Sequence, residues 1–417
     1  MTDTTASSTD SPEGENPFAF NPFDPSETQH MWGLANRLRH EQPVSRPMEG
    51  FVYLASHADN KAVYRDAKRF SSGEGFRAEG VVVPDEESFL GEIDPPLHPN
   101  VRRALIRAFT VQAAAAVEPW TRDRVRGMFA QVRDGGGGDL MDIISTPLPG
   151  SVTGHSLGLP DDQLDQLTRW CSEMLHSTWP QMNETERGVG IGGAFPELAE
   201  EVDKAIAEHR ALGDDAPDDL ITRMIQAKDA NGESLSDRHI RTLSVNSIAG
   251  SLSLTYMLGN LMYRYLTDDE GFADVLRANR DLIPMAVEES LRFEPPVLFL
   301  FRTAKEDVEV GGCPVHKGER VILGMNSANR DETVWENAEE YRLDRDELPL
   351  QHLSFGEGPH LCLGNHLTRM IGRVVLEELL DAFQPGELRL ADGYEHDLVP
   401  MFLEYGPEAL PTVIVES

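Results

Sequence analysis

The stretch that decides the fold is Phe355–Gly364, Phe-Gly-Glu-Gly-Pro-His-Leu-Cys-Leu-Gly. It packs three glycines, a proline, a histidine and a cysteine into ten residues, and the pattern from Leu363 onward becomes helical. The positive end of a helix dipole and nearby backbone N–H groups stabilise anionic sulfur, so this placement favours a thiolate at Cys362. Glycines allow the backbone to lie close to a flat ligand, and His360 is placed to donate a hydrogen bond to a carboxylate on it.

The same loop also fits a purely structural interpretation. Most intracellular cysteines are small buried hydrophobic residues, and a glycine-rich turn around one would explain any single feature of the loop, but not their order. The other cysteines are Cys171 and Cys313, and three scattered cysteines are too few for a disulfide framework or a tetrahedral zinc site. The order of the loop residues therefore favours a thiolate at Cys362 over a buried structural thiol.

Composition and charge exclude several classes of protein. Hydrophobic residues at 40% and charged residues at 26% are ordinary for a globular protein. The net charge of -34 would repel nucleic-acid phosphates and anionic membrane surfaces. No stretch approaches the ~18 consecutive apolar residues of a membrane span, and the N-terminus lacks the pattern of a signal peptide. We expect a cytoplasmic protein that binds neither nucleic acid nor membrane.

The order of apolar and polar residues predicts an α+β chain that is mainly helical with a small β region. Residues 1–15 are polar and predicted to be disordered, whereas 16–417 contain neither a repeat nor a linker and are predicted to form a single domain. Apolar spacings of three and four dominate from about 101 to 266. Val, Phe and Thr with interspersed Gly predict short strands between about 297 and 323, and Phe51–Leu54 predicts another.

The cysteine loop resembles the heme-binding signature of the cytochrome P450 family, which has the form Phe-Gly-x-Gly-x-His-x-Cys-x-Gly. All six fixed positions are filled, by Phe355, Gly356, Gly358, His360, Cys362 and Gly364. A motif with six fixed residues is highly specific. The resemblance implies the single-domain cytochrome P450 fold, heme b (iron protoporphyrin IX) as cofactor, and Cys362 as the axial ligand of the iron.

A second pattern is Glu289-Ser-Leu-Arg292, in which a spacing of three places both charges on one face of a predicted helix. Such pairs are usually solvated surface contacts. The family has a Glu-x-x-Arg pair in a helix before its cysteine, and Glu289 stands 73 residues before Cys362. The resemblance implies a largely buried structural ion pair, joined to the chain near Asp344 and Arg345, that braces the cysteine loop.

A third pattern is a histidine and an arginine, His98 and Arg102, that face the same way on a predicted helix. A lone His-x-x-x-Arg is usually only a polar face. The segment is similar to the family's helix in which these two residues bind heme propionates, and Arg302 matches a further propionate partner on a strand. Partly buried carboxylates need such charge-assisted partners. Together with His360, four donors are thus implied for two propionates.

The sequence departs from the family in the helix expected to cross the heme face opposite the cysteine, predicted from Ser236 to about Tyr265. Many members have Ala-Gly-x-Asp/Glu-Thr there, with a carboxylate and a hydroxyl that help deliver protons to dioxygen. The corresponding catalytic positions here are Gly250, Leu252 and Ser253.

Leu252 cannot carry a proton, whereas Ser253 retains a hydroxyl that donates and accepts hydrogen bonds. Three explanations remain open. Protons arrive through Ser253 and ordered water, the substrate supplies a polar group, or the enzyme accepts peroxide or oxidises without inserting oxygen. The first two are favoured, because general acid–base catalysis can pass through water chains.

The resemblance implies a monooxygenase that activates dioxygen and hydroxylates, or O- or N-dealkylates, a small to medium apolar organic substrate. The chain contains neither a fused flavin domain nor an iron–sulfur motif, so the electrons are expected from a separate ferredoxin and ferredoxin reductase, and the enzyme is expected to be a monomer. Basic residues that suit such a partner are Arg103, Arg107, Arg369 and Arg373. A rival interpretation from another class is a non-catalytic heme sensor, which the missing acid at Leu252 favours.

The resemblance also implies the walls of a substrate pocket, although each apolar residue in it suits an ordinary core equally well. The walls are formed by the loop 72–93 and by Ile248, Leu252, Ser253, Val297, Leu298, Phe299, Met401 and Phe402.

Overall fold

The computed structural model describes residues 16–76, 84–106, 108–161, 166–167, 196–229, 232–267 and 271–415. The tail predicted to be disordered, Cys171, Arg107 and part of the predicted pocket loop 72–93 lie outside these ranges. Among the described residues, no helix is both long enough and apolar enough to span a bilayer.

Helices form most of the described chain, as the apolar spacings predict. They are α1 (Pro25–Thr28), α2 (Trp32–Glu41), α3 (His57–Arg65), α4 (Gly73–Phe76), α5 (Leu97–Leu105), α6 (Val111–Asp134), α7 (Pro147–Leu157), α8 (Pro196–Leu212), α9 (Leu220–Gln226), α10 (Asp237–Gly250), α11 (Leu252–Thr267), α12 (Phe272–Ala278), α13 (Ile283–Phe293), α14 (Met325–Ala328) and α15 (Asn365–Ala382).

The strands form a small five-stranded sheet and two lesser ones. They are β1 (Val44–Ser45), β2 (Phe51–Leu54), β3 (Phe70–Ser71), β4 (Gly137–Asp139), β5 (Phe299–Ala304), β6 (Val308–Val310), β7 (Cys313–Val315), β8 (Arg320–Gly324), β9 (Leu388–Leu390) and β10 (Pro411–Ile414). The largest sheet has the order β1-β2-β8-β5-β3, in which only β2 and β8 are parallel, with Phe51 opposite Arg320. The other sheets are β4-β10-β9 and the β6-β7 hairpin. The predicted strand at 51–54 and the predicted strands between 297 and 323 are confirmed.

The longest helices share one hydrophobic core, and this core positions the cysteine loop. Helix α15 buries an apolar stripe, including Met370, Ile371, Val374 and Leu379, against α6, α11 and α13. Fully burying such a side chain contributes roughly 1.5–3 kcal/mol. The N-terminal end of α15 therefore lies directly behind Cys362.

The helix predicted from Ser236 to about Tyr265 is interrupted, so the expectation of one continuous helix is wrong. Ser236 caps its start by accepting a hydrogen bond from the His239 N–H. Helix α10 ends at Gly250 and α11 begins at Leu252. At the break, the Ser251 hydroxyl donates to the Ile248 carbonyl at 2.6 Å, in competition with the helical backbone pattern. Gly250, the last residue of α10, also favours the break, because glycine is a weak helix former.

Candidate active site around Cys362

The cysteine loop is held by its own backbone. The Cys362 N–H donates to the Phe355 carbonyl at 2.8 Å. Gly356 and Gly358 have φ values of 67° and 68°, a left-handed conformation in which side chains are strained. Gly358 also packs on α3, where an added Cβ would lie 2.9 Å from the Tyr64 carbonyl oxygen. The glycines thus allow the loop both to turn tightly and to sit close against a neighbouring helix.

The Cys362 thiol receives opposing electrostatic influences. Burial raises its pKa, whereas the N–H groups of Gly364 and Asn365 and the guanidinium groups of Arg102 and Arg369 oppose that rise. Burial prevails, so the pKa of the thiol lies above its ordinary value. Coordination to a metal cation deprotonates a thiol, so a bound iron would hold Cys362 as the thiolate.

Cys362 lines a cavity of about 260 Å³ between the cysteine loop and the broken helix. Arg102, His360 and Gly364 line it as well. On the side of α10, the lining includes polar or small residues, namely Asn246, Ser247, Gly250 and Ser251. The cavity therefore joins the predicted metal ligand to the segment predicted to lie across from it.

Two residues of the predicted pocket loop 72–93, Leu90 and Gly91, also line this cavity. The other predicted distal and pocket residues do not line it; they are Ile248, Leu252, Ser253, Val297, Leu298, Phe299, Met401 and Phe402. Leu252 and Ser253 are half-buried, and Leu252 packs between two hydrophobic clusters. Ile248, Leu298 and Phe299 are fully buried in the core. The remaining three predicted pocket residues, Val297, Met401 and Phe402, are half-buried.

The four predicted propionate donors meet beside the cysteine loop. The rings of His98 and His360 lie 4.0 Å apart between their centroids. Arg102 donates to the Leu361 carbonyl at 2.6 Å, and Arg302 is 3% exposed. Within the described chain, neither arginine forms an ion pair with a carboxylate.

The donor cluster has the polarity of an anion site. Both ring nitrogens of His98 and the Nε2 of His360 are buried without a hydrogen-bond partner in the protein. Burial first, and then the neighbouring positive charges, lower the pKa of His98 to about 4 and that of His360 to about 2. Unpaired buried donors beside the buried Arg302 and the half-buried Arg102 are costly unless anionic acceptors join them. Two carboxylates of a flat ligand fit this set.

Sequence reasoning missed a fifth member of this cluster, Tyr64. Its hydroxyl is buried without a partner, and the Arg302 guanidinium carbon lies 5.5 Å from the centre of its ring. Gly356 of the cysteine loop packs against the same ring. A tyrosine on α3 gives no sequence signal of this kind, because only the tertiary fold places it below the loop.

Glu289 and Arg292 form a fully buried ion pair on α13, joined by two hydrogen bonds of 2.7 Å. Arg345 donates to both Glu289 oxygens at 3.0 Å, as implied for this part of the chain. Asp344, by contrast, is exposed and pairs with Arg342, whose backbone N–H bonds to Glu289. Asp344 is thus linked to the pair only indirectly.

The buried pair reaches the cysteine loop through Asn329. Arg292 donates to the Asn329 carbonyl at 2.9 Å. The Asn329 side chain in turn accepts from the Leu353 N–H at 2.7 Å and donates to the Ser354 hydroxyl at 2.8 Å. This chain of hydrogen bonds ends immediately before Phe355.

A neighbouring carboxylate, Glu288, forms a second brace that sequence reasoning missed. It is 3% exposed and contacts His352 at 3.0 Å and Arg369 at 2.5 Å. The Arg369 guanidinium also lies over the Phe355 ring, 4.5 Å from its centre. The signal available in the sequence was the doubled acid Glu288-Glu289 on one helix.

Two of the basic residues suggested for contact with a ferredoxin form ion pairs within this protein. Arg369 pairs with Glu288, and Arg373 pairs with Glu118 and Glu377. Arg103 is exposed. The predicted basic patch is therefore largely neutralised by carboxylates.

A cysteine at the start of a helix, beside a cavity and an unpaired cluster of arginines and histidines, defines the heme-thiolate class of site. The profile of the family described as cytochrome P450 matches residues 43–389. The chain belongs to the cytochrome P450 family, and it is a heme b monooxygenase with the mainly helical fold of that family.

Relatives of known function and structure cover almost the whole chain. It is 32% identical over 347 residues to erythromycin C-12 hydroxylase of Saccharopolyspora erythraea, across 83% of this chain and 85% of that one. It is 34% identical over 365 residues to nocardicin C N-oxygenase of Nocardia uniformis subsp. tsuyamanensis, across 85% and 88%. A solved mutant of P450 EryK in complex with erythromycin B matches with a TM-score of 0.80 and 30% identity, across 94% and 98%.

Proposed function

We propose that this enzyme takes electrons from a separate ferredoxin and ferredoxin reductase and hydroxylates, or O- or N-dealkylates, a small to medium apolar organic substrate. The observation that carries the proposal is the cavity shared by Cys362, Arg102, His360 and the broken helix at Gly250. Heme supplies the oxygen-activating chemistry when bound, and Cys362 is proposed as its axial ligand. The relatives named for erythromycin and nocardicin C support a secondary-metabolite scaffold as substrate.

A screen and a turnover assay test this function together. Compounds that enter the pocket are expected to shift the heme Soret band from the low-spin to the high-spin position. A compound found in this way is then incubated with ferredoxin, reductase and NAD(P)H, or with peroxide alone. Product that forms only with peroxide would mean that the enzyme is peroxide-driven and does not use a ferredoxin. Product in neither assay would contradict the proposal.

The docking face proposed for the ferredoxin is the protein surface at and around the cysteine loop. Apolar side chains are exposed there directly after α5, at the start of α6, and in and before the loop, and Arg103 on α5 adds a positive charge. These exposed apolar residues are Ile106, Val111, Leu348, Leu350 and Leu361. Because Arg369 and Arg373 are already paired, we infer that apolar contact contributes more to this docking than long-range attraction.

We propose that the two propionates of the heme are held by His98, Arg102, Arg302, His360 and Tyr64. Tyr64→Phe removes one hydroxyl and preserves the ring. A hydrogen bond to a charged group is worth about 1.5–3 kcal/mol, so heme release should become about 10–100-fold faster. Transfer of heme to an excess of an apo-globin measures this rate without requiring turnover.

Tyr53→Phe is the matched control for this prediction. Tyr53 is equally buried, but its hydroxyl donates to Asn326 at 3.0 Å. We expect this variant to lose some stability and to release heme at the original rate. Equal release rates in Tyr64→Phe and in the unmodified protein would remove Tyr64 from the propionate site.

Proton delivery is proposed to pass through Ser253 and ordered water. The water is needed to link the half-buried Ser253 to the cavity beside Cys362, which Ser253 itself does not line. Ser253→Ala should then lower product formation by about 100-fold while electron consumption continues, because dioxygen is reduced to hydrogen peroxide instead. Ser251→Ala is the matched control, since Ser251 lines the cavity but its hydroxyl is engaged with the Ile248 carbonyl. The ratio of product to consumed NAD(P)H measures the effect, and an equal loss in both variants would contradict a specific role for Ser253.

A further inference from the structure

The guanidinium of Arg369 is held in place beside the cysteine loop by two hydrogen-bond partners and an aromatic ring. Its Nε donates to Oε1 of Glu288 at 2.5 Å, and its Nη2 donates to Oε2 of the same carboxylate at 3.1 Å. Its Nη1 donates to Oδ1 of Asn365 at 2.8 Å, and its central carbon lies 4.5 Å from the centre of the Phe355 ring. A planar fork that makes two parallel bonds to one carboxylate has a defined geometry. The positive charge of Arg369 is therefore kept at one place relative to the loop.

Asn365 connects this guanidinium to the proposed sulfur ligand. The Nδ2 of Asn365 donates to the Cys362 carbonyl at 2.6 Å, while its Oδ1 accepts from Arg369. The backbone N–H groups of Gly364 and Asn365 bond to the Cys362 sulfur, and the charge of Arg369 acts on it through space. Hydrogen bonds and positive charge beside a thiolate change the electron density that it donates to a metal. Arg369 thus acts on Cys362 both by its charge and by holding Asn365.

Glu288 supplies the negative charge that balances Arg369. The Glu288 side chain is 4% exposed and that of Arg369 is 30% exposed, so water screens this pair only in part. His352 fixes the carboxylate from another side, with its Nε2 3.0 Å from Glu288 Oε2. The other guanidinium that acts on the sulfur, that of Arg102, forms no ion pair with a carboxylate of the described chain. Glu288 therefore determines how much of the Arg369 charge is felt at the sulfur.

We propose that Glu288 is a positioning residue that sets the reduction potential of the heme iron, by fixing and partly neutralising Arg369 beside the Cys362 thiolate. In the step concerned, one electron passes from the reduced iron–sulfur cluster of a ferredoxin to the ferric iron. The cluster is oxidised, the iron becomes ferrous, and neither a proton nor a covalent bond is part of the step. Because the heme and its ligand gain one negative charge, nearby positive charge favours this reduction and Glu288 opposes it. The inference rests on the proposed function, in taking Cys362 as the axial ligand and a ferredoxin as the electron donor.

The test measures the midpoint potential of the heme-loaded enzyme by spectroelectrochemical titration, which requires neither substrate nor turnover. Glu288→Gln leaves the charge of Arg369 uncompensated and should raise the potential, whereas Arg369→Gln removes that charge and should lower it. Each change should alter the ferrous-to-ferric ratio at a given electrode potential about tenfold, which for one electron is about 59 mV. The double variant, Glu288→Gln with Arg369→Gln, should return close to the original value.

Glu377→Gln is the matched control, because it removes the same charge from another ion pair. Glu377 pairs with Arg373 and lies about 18 Å along α15 from Asn365, so this variant should leave the potential unchanged. A mere loosening of the loop would move Glu288→Gln and Arg369→Gln in the same direction. Shifts of equal sign, or no shift in either variant, therefore overturn the inference.

Two further measurements keep the result decisive. If Glu288→Gln does not retain heme, Arg369→Lys is compared with Arg369→Gln. Lysine keeps the charge and should keep the potential, and equal shifts in these two variants overturn the inference. The reduced carbon monoxide spectrum is recorded on every protein. A band without the strong red shift in the unmodified enzyme would contradict Cys362 as the ligand, and hence the proposed function, whereas a red-shifted band with an unchanged potential would contradict only the assignment of Glu288.

Discussion

Cys362→Ala is expected to abolish oxygenation completely and to remove the strong red shift of the Soret band in the reduced carbon monoxide complex. The thiolate's electron donation causes both properties, and no other cysteine of the described chain lines the cavity. Heme should still bind, although less tightly. The proposed propionate donors lie on α3, α5, β5 and the cysteine loop, and the substitution leaves them unchanged.

Cys313→Ala provides the matched control for the thiolate. Cys313 is half-buried at the start of β7. It packs against the hydrophobic cluster of the large sheet, not against the helical core that positions the cysteine loop. This variant should keep the red-shifted band and the full rate of product formation. A red-shifted band that survives in Cys362→Ala would show that another residue ligates the iron.

The parts of the site that could be predicted are those formed by residues close together in the sequence. Six fixed residues within Phe355–Gly364 specify a tight loop and a sulfur ligand, since each has a chemical function at its own position. The same is true of Glu289 and Arg292, whose spacing alone places them side by side on a helix. Their complete burial, however, depends on packing around α13 and could not be derived from spacing.

The residues that sequence reasoning missed depend on contacts between distant segments. Tyr64 approaches Arg302 only because α3 packs against the cysteine loop, and Glu288 meets Arg369 only because α13 packs on α15. The break at Ser251 has a related origin. The periodicity of the flanking residues favours one continuous helix, whereas a side-chain hydrogen bond to the Ile248 carbonyl competes with it locally.

The substrate side is less predictable because its residues are individually ordinary. Leu298 and Phe299 are indistinguishable in sequence from pocket walls, yet both are completely buried in a core cluster.

Glu289→Gln is expected to destabilise the fold by about 3–5 kcal/mol, because removing one partner of a buried ion pair leaves the other charge uncompensated. The loss of stability should lie toward the upper end of this range, since both Arg292 and Arg345 lose their carboxylate partner. The isosteric amide preserves packing, so the change reports charge rather than a cavity. The midpoint of denaturant unfolding, followed by far-ultraviolet circular dichroism, measures the effect.

The order of events during unfolding gives this prediction a second readout. Arg292 is linked through Asn329 to Leu353 and Ser354, so loosening of the pair should reach the cysteine loop before the helical core opens. In Glu289→Gln the Soret band should therefore be lost at a lower denaturant concentration than the helical signal. Asp344→Asn is the matched control, because Asp344 is exposed and contacts Arg342 at the surface; it should shift neither transition. Coincident, unshifted transitions in Glu289→Gln would mean that the buried pair does not brace the loop.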